Sequence, residues 1–208
     1  MARSVSLVGG LFLFASGIVL LLESDLGLSP WDVLNQGIQF HTALSFGTAN
    51  VVIGLAVLCL AWALGQPPGI GTVANAVLIG IFIDALVAVP AIDRLDGQPL
   101  AFRIALIPIA LVLFGAGSAF YIGAAMGAGP RDSLMLVLSH RTGVRIGIVR
   151  AGLELTVLVA GIALGGTFGI GTIAFALLIG PIIEVSFGLM TRSPLADPGQ
   201  AAEVDEGQ

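Results

Sequence analysis

The chain has no lysine, one cysteine and one tyrosine in 208 residues, and only 10% of its residues are charged. A soluble domain carries about a quarter charged residues, so a water-facing surface cannot be assembled from this composition. With Cys59 alone, no disulfide can close within the chain, and Cys59 reads as a packed apolar residue. The eight basic residues are all arginines, scattered rather than clustered, which gives no nucleic-acid patch. No P-loop, Cys cluster, metalloprotease helix or Gly-x-Ser-x-Gly elbow occurs, so neither an enzyme nor a cofactor is expected. His41 and His140 stand at loop positions, and nothing makes them metal ligands.

What the chain has instead is apolar length: 57% hydrophobic residues, 29 glycines and a mean hydropathy of +1.05. Such runs have no side for water and point to an integral membrane protein, with the bilayer as its first partner. The formal charge of −5 owes much to Asp197, Glu203, Asp205 and Glu206, in an acidic tail expected to be disordered and cytoplasmic (191–208). At the other end, Arg3 precedes the apolar run Leu7–Leu22, but no small-x-small cleavage pattern follows. That run reads as a retained first helix.

Six spans are expected, near 5–22, 47–65, 70–90, 103–122, 146–165 and 170–190, each long enough for a bilayer core. They fall into two halves of one membrane domain (1–190), about 5–90 and 103–190, because the chain repeats itself at an offset of 100 without a gap. "LGLSPWDVL" (26–34) returns as "MGAGPRDSL" (126–134), keeping Gly27, Pro30, Asp32 and Leu34 as Gly127, Pro130, Asp132 and Leu134. Gly69-Ile70-Gly71-Thr72 returns as Gly169-Ile170-Gly171-Thr172, and Gly47 as Gly147. Three spans per half is an odd number, so the second half must enter the membrane from the opposite side. Arginine placement agrees: segment 23–46 has none, whereas 123–146 has Arg131, Arg141 and Arg145. With both termini cytoplasmic, those three join Arg3 and Arg192 inside, against Arg94 and Arg103 outside. The expected fold is an all-α polytopic membrane protein of two inverted-topology repeats.

Each repeat also carries a short extra helix after its first span. Ser29 reads as an N-cap, Pro30 as the first helical position and Asp32 as a first-turn acid. A helix from 30 to about 41 is some 15 Å long, too short to cross, and 130–140 is its mate. Two arrangements are open. Each helix could float in the interface, with Trp31 as an aromatic anchor. Or the pair could be re-entrant half-helices pointing their positive ends at a central site.

Ionisable residues inside spans are costly and mark sites by default. Glu154 lies near the middle of the fifth span, with Arg150 one turn before it on the same face. Their mates, Gly54 and Asn50, are uncharged, so the pair belongs to one half only. The pair is expected to be buried and the energetic centre of the protein, so removing one partner should leave an unpaired charge and cost about 3–5 kcal/mol. Asp84 and Glu184 are repeat mates near the ends of the third and sixth spans, suited either to a cation or proton or to capping. Asn75 stands where the second half has Phe175. With Asp32 and Asp132 these form the candidate binding set. Thr72, Ala76 and Gly80, like Thr172, Ala176 and Gly180, recur every four residues and read as helix-packing stripes.

The stretches "GLSPWDVLNQGI" (27–38) and "GQPPGIGTVANAVLIGIFID" (65–84) resemble the YczE/YyaS/YitT family of bacterial membrane proteins, over nearly the whole chain to about residue 190. The resemblance implies a bacterial inner-membrane protein and supplies no substrate or catalytic residue. Function therefore rests on architecture. An inverted repeat with buried charges points to a small secondary transporter or permease, moving a small molecule or ion through a midplane site. Its small membrane mass is compatible with a homodimer. The alternative is a non-catalytic scaffold or accessory protein for a biosynthetic or secretion complex.

Overall fold

The computed structural model describes residues 2–191 and is helical, with no strand among them. The acidic tail lies almost wholly outside the described residues. Helix α1 spans Ala2–Ser24, α2 Pro30–His41, α3 Phe46–Ala63 and α4 Ile70–Val87. The second half repeats the order with α5 Leu100–Gly123, α6 Pro130–Thr142, α7 Ile146–Ala163 and α8 Ile170–Thr191. All except α2 and α6 are long and apolar enough to cross a membrane. Pro108 and Pro181 sit inside α5 and α8. Cys59 is exposed on α3, not packed as its apolar surroundings in the sequence suggest.

The antiparallel α1–α5 pair forms the centre. Glycine lets the two backbones touch: a Cβ at Gly10 would sit 2.6 Å from the Tyr121 nitrogen, and one at Gly17 would sit 2.9 Å from the Ala110 carbonyl oxygen. Around them Leu11, Ile18, Leu21 and Leu111 are sealed from solvent, and the repeat mates Phe14 and Phe114 meet edge to face at 4.7 Å. Arg103 ties the pair at one end, its Nε donating to the Ser24 carbonyl at 2.7 Å and its guanidinium meeting Asp25 at 2.9 Å. A cation there suits the carbonyl-rich C-terminus of α1.

The repeated turns have repeated backbones. Asp25 and Ala125 have φ of 49° and 50°, while Gly27 and Gly127 have 113° and 125°, a region that strains any residue with a Cβ. The contacts between halves are exchanged in the same way. The Gly171 N–H donates to the Leu26 carbonyl at 2.8 Å, and the Gly71 N–H donates to the Met126 carbonyl at 2.8 Å. Helix α2 packs on α7 of the other half, and α6 packs on α3. Interfaces that swap partners in this manner are those of a self-complementary pair.

One interface breaks the pattern. Helices α3 and α4 pack tightly, while α7 and α8 scarcely touch. A Cβ at Gly47 would lie 2.1 Å from the Gly80 carbonyl oxygen, whereas Gly147 and Gly180 have nothing within 4 Å. The small-residue stripe is accordingly used once: Ala76 is buried and Ala176 exposed.

Candidate functional site

Two short helices aim their first turns at a common space. In α2, Ser29 caps the N-terminus with extended backbone (φ −62°, ψ 154°) and accepts from the Asp32 N–H. Pro30 through Val33 and Asn35 through Gly37 are buried, which does not fit a helix lying flat in a membrane interface with one face bare. Gly37 comes so close to α7 that a Cβ there would lie 3.0 Å from the Gly161 carbonyl oxygen, and Gln36 accepts from the Thr167 N–H at 2.7 Å. Helix α6 starts after Gly129, which has no side chain to cap it. Its final residue, Thr142, lies slightly beyond the expected end near 140.

Between these starts lies a cavity of about 210 Å³. Its apolar walls include Phe14, Phe114, Phe175, Ile53 and Ile79. Of the expected site residues, Asp132, Asn75, Arg150 and Glu154 line it. Asp32 lies just behind the wall, 1% exposed, accepting from Ser29 Oγ and from Asn35 Nδ2 at 3.1 Å. On this short helix outside the six spans, burial pushes the Asp32 carboxyl up from its ordinary range, against the pull of Arg131, Ser29 and Asn35.

Asp84 and Glu184 are elsewhere. Asp84 accepts from Ser45 Oγ at 2.6 Å, from the Gly47 N–H at 2.9 Å and from Thr48 Oγ1 at 3.3 Å. It thus holds the N-terminus of α3, where a carboxylate is favoured by the helix dipole. Glu184 is exposed beside the parted α7 and α8. The Arg150–Glu154 pair forms as expected, at 3.0 Å, but its side chains are 51% and 32% exposed. It is a half-exposed pair on the cavity rim, so the cost of a fully buried broken pair does not apply to it.

Sequence reasoning missed the residue at the centre. Arg131 reads as one more loop arginine, yet its guanidinium stacks 4.9 Å over the ring of its own repeat mate Trp31 and approaches Asp32 at 3.9 Å. The signal was its place inside the repeated turn, between Pro130 and Asp132. The only tyrosine was missed too: Tyr121 donates its hydroxyl proton to Asp132 at 3.1 Å. Asn50 and Ser118 also line the cavity, 7% and 3% exposed, and neither side chain has a hydrogen-bond partner among the described residues. Polar residues inside otherwise apolar spans were the available clue.

The chain matches DUF6198, described as a family of unknown function, over residues 1–187. It is 38% identical to the uncharacterized membrane protein YczE of Bacillus subtilis, over 85% of this chain and 81% of that one. It is 34% identical to an uncharacterized protein of Haemophilus influenzae, over 88% and 85% of the two chains. With YyaS of Bacillus subtilis it shares 29% identity, over 88% and 91%. No solved structure matches it.

Proposed function

The chain belongs to the DUF6198 family, and on that premise we propose that it is a small secondary transporter. It carries a small solute through the cavity between its two inverted halves. The observation that carries this reading is the unequal state of two equivalent interfaces. The α3–α4 interface is shut by Gly47, Gly80 and Asp84, while its mate, built from Gly147, Gly180 and Glu184, stands open. Two related gates flanking a central site, one shut and one open, are what alternating access requires. The starts of α2 and α6 then serve as re-entrant half-helices at mid-membrane, their positive ends facing the site.

In this reading the inner membrane is the location and both termini are cytoplasmic, so the open α7–α8 gate faces inward. Arg3, Arg141, Arg145 and Arg192 support that orientation against Arg94 and Arg103. Arg131 no longer counts, since it is committed to the cavity. Closing the inner gate in the manner of the outer one would bring Glu184 to the start of α7, beside Arg145, the mate of Ser45.

Cysteine pairs in a Cys59→Ala background test this. Ser45→Cys with Asp84→Cys, and Arg145→Cys with Glu184→Cys, should each cross-link with a short bifunctional thiol reagent, never both in one molecule. If only the first pair ever links, the α7–α8 gap is permanent and alternating access is wrong. The accessory-protein reading would then gain, because the exposed apolar faces of α7 and α8 would suit a membrane partner or a second copy of the chain.

A further inference from the structure

The chemistry of the cavity narrows the cargo. We infer that it holds a small zwitterion with one ammonium and one carboxylate on an apolar body, a neutral α-amino acid being the simplest case. The inference rests on the transport reading for its biology, but on the cavity alone for its chemistry.

Size comes first. A cavity of about 210 Å³ is smaller than the roughly 300–1,000 Å³ of pockets that take drug-sized ligands. A lipid or a peptide does not fit inside it. The walls of Phe14, Phe114, Phe175 and Ile79 favour a ligand with an apolar part.

Charge comes second. The lining holds Arg131 and Arg150 against Asp132 and Glu154, with Asp32 directly behind Arg131. The two helix starts add roughly half a positive charge each. Formal charges and dipoles together cancel. A lone cation or anion would therefore enter a site with no net counter-charge, which is costly where water is scarce. A phosphate monoester, with nearly two negative charges, is worse still. A ligand bearing one charge of each sign adds nothing unmatched.

Unused hydrogen-bonding capacity comes third, and it is independent of the helix ends. Asn50 and Ser118 are more than nine-tenths buried, have no hydrogen-bond partner among the described residues and face the cavity. Buried polar groups are rarely left so without a ligand or water to bond. The uncapped start of α6, with Asn50 and Ser118, offers donors to a carboxylate. Asp132, already oriented by Tyr121, suits an ammonium.

Equilibrium binding to the full chain in lipid nanodiscs tests the inference with alanine, leucine, phenylalanine and glutamine. 4-Methylpentanoate and 3-methylbutylamine serve as leucine without its amine and without its carboxylate. At least one amino acid should bind saturably, and leucine should bind about tenfold or more tightly than either stripped analogue, because hydrogen bonds to a charged group carry that much. Asn50→Leu, near in volume, and Ser118→Ala should each weaken binding several-fold while the melting temperature holds. If the carboxylate analogue binds as well as leucine, the site is an anion site. If the amine binds as well, it is a cation site. If none of the four amino acids binds, the zwitterion assignment falls. The transport reading stands or falls separately, on the cysteine pairs.

Discussion

Gly47 and Gly147, the glycines of the two proposed gates, occupy equivalent positions in unequal surroundings, so the same substitution should have opposite effects. In Gly47→Ala the new Cβ would lie 2.1 Å from the Gly80 carbonyl oxygen and 2.6 Å from the Asp84 carboxylate. Both obstacles belong to α4 itself or to a side chain pinned by Ser45 and Thr48, so α3 must move away by about 1 Å to reach an ordinary contact. The Gly47 N–H bond to Asp84, now 2.9 Å, would stretch past hydrogen-bond length. Overpacking costs about 1–3 kcal/mol and a lost bond to a charged group about 1.5–3, against which alanine gains about 0.5–1 in helix propensity. The net is about 1.5–5.5 kcal/mol against the shut α3–α4 interface. A shift of about 5.5 kcal/mol turns a two-state balance from 1:99 to 99:1, so this variant should either open that gate or melt earlier.

Gly147→Ala meets nothing within 4 Å. In the observed state it should be neutral or stabilising by up to about 1 kcal/mol, and it should obstruct only the closure of α7 on α8. Thermal melting in detergent reads the first difference. Labelling of Asn75→Cys by an impermeant maleimide, in the Cys59→Ala background, reads the second. External labelling should rise in Gly47→Ala and stay absent in Gly147→Ala. If the two variants shift melting and labelling alike, the two interfaces are not alternative states of one gate, and the mechanism is wrong.

Two further outcomes are expected. Glu154→Gln should change stability by no more than about 1 kcal/mol, since the half-exposed i,i+4 pair is worth little, yet it should weaken amino-acid binding by removing a cavity carboxylate; a large melting loss with intact binding would make the pair structural. Thr42→Cys and Thr142→Cys, both at exposed ends of short helices, should label from opposite sides of the membrane; labelling from one side would end the inverted-repeat reading.

Much of the fold was legible because it is written twice. Gly27 and Gly127 need the same left-handed backbone, and Gly71 and Gly171 make the same bond to the opposite turn. Identical residues in register mark these local demands. The burial of α2 was not legible. Its sequence, PWDVLNQGIQFH, is mixed polar and apolar and starts with a tryptophan, as an interfacial helix would. Only the approach of α7 from the other half, through Gly161, encloses it. Arg131 was hidden for a related reason: a count of loop arginines treats it as a charge on one side of a membrane. Its stacking on Trp31 depends on the two turns meeting, which neither turn encodes alone.

Conservation within the repeat and divergence within it therefore separate two tasks. Where the halves agree, as at Gly27/Gly127, Gly71/Gly171 and Thr72/Thr172, the residues form the repeated turns and their hydrogen bonds. Gly47/Gly147 and Gly80/Gly180 agree as well, as the proposal of two gates that shut in turn would require. Where the halves differ, as at Trp31/Arg131, Asn50/Arg150, Gly54/Glu154 and Asn75/Phe175, every one of the eight residues lines the cavity. A small ligand has no two-fold symmetry, so a cavity built of identical halves would present each group twice and match it once. On the transport and zwitterion proposals, breaking the repeat at these wall positions would let one repeated frame hold an asymmetric molecule with a positive end, a negative end and an apolar side.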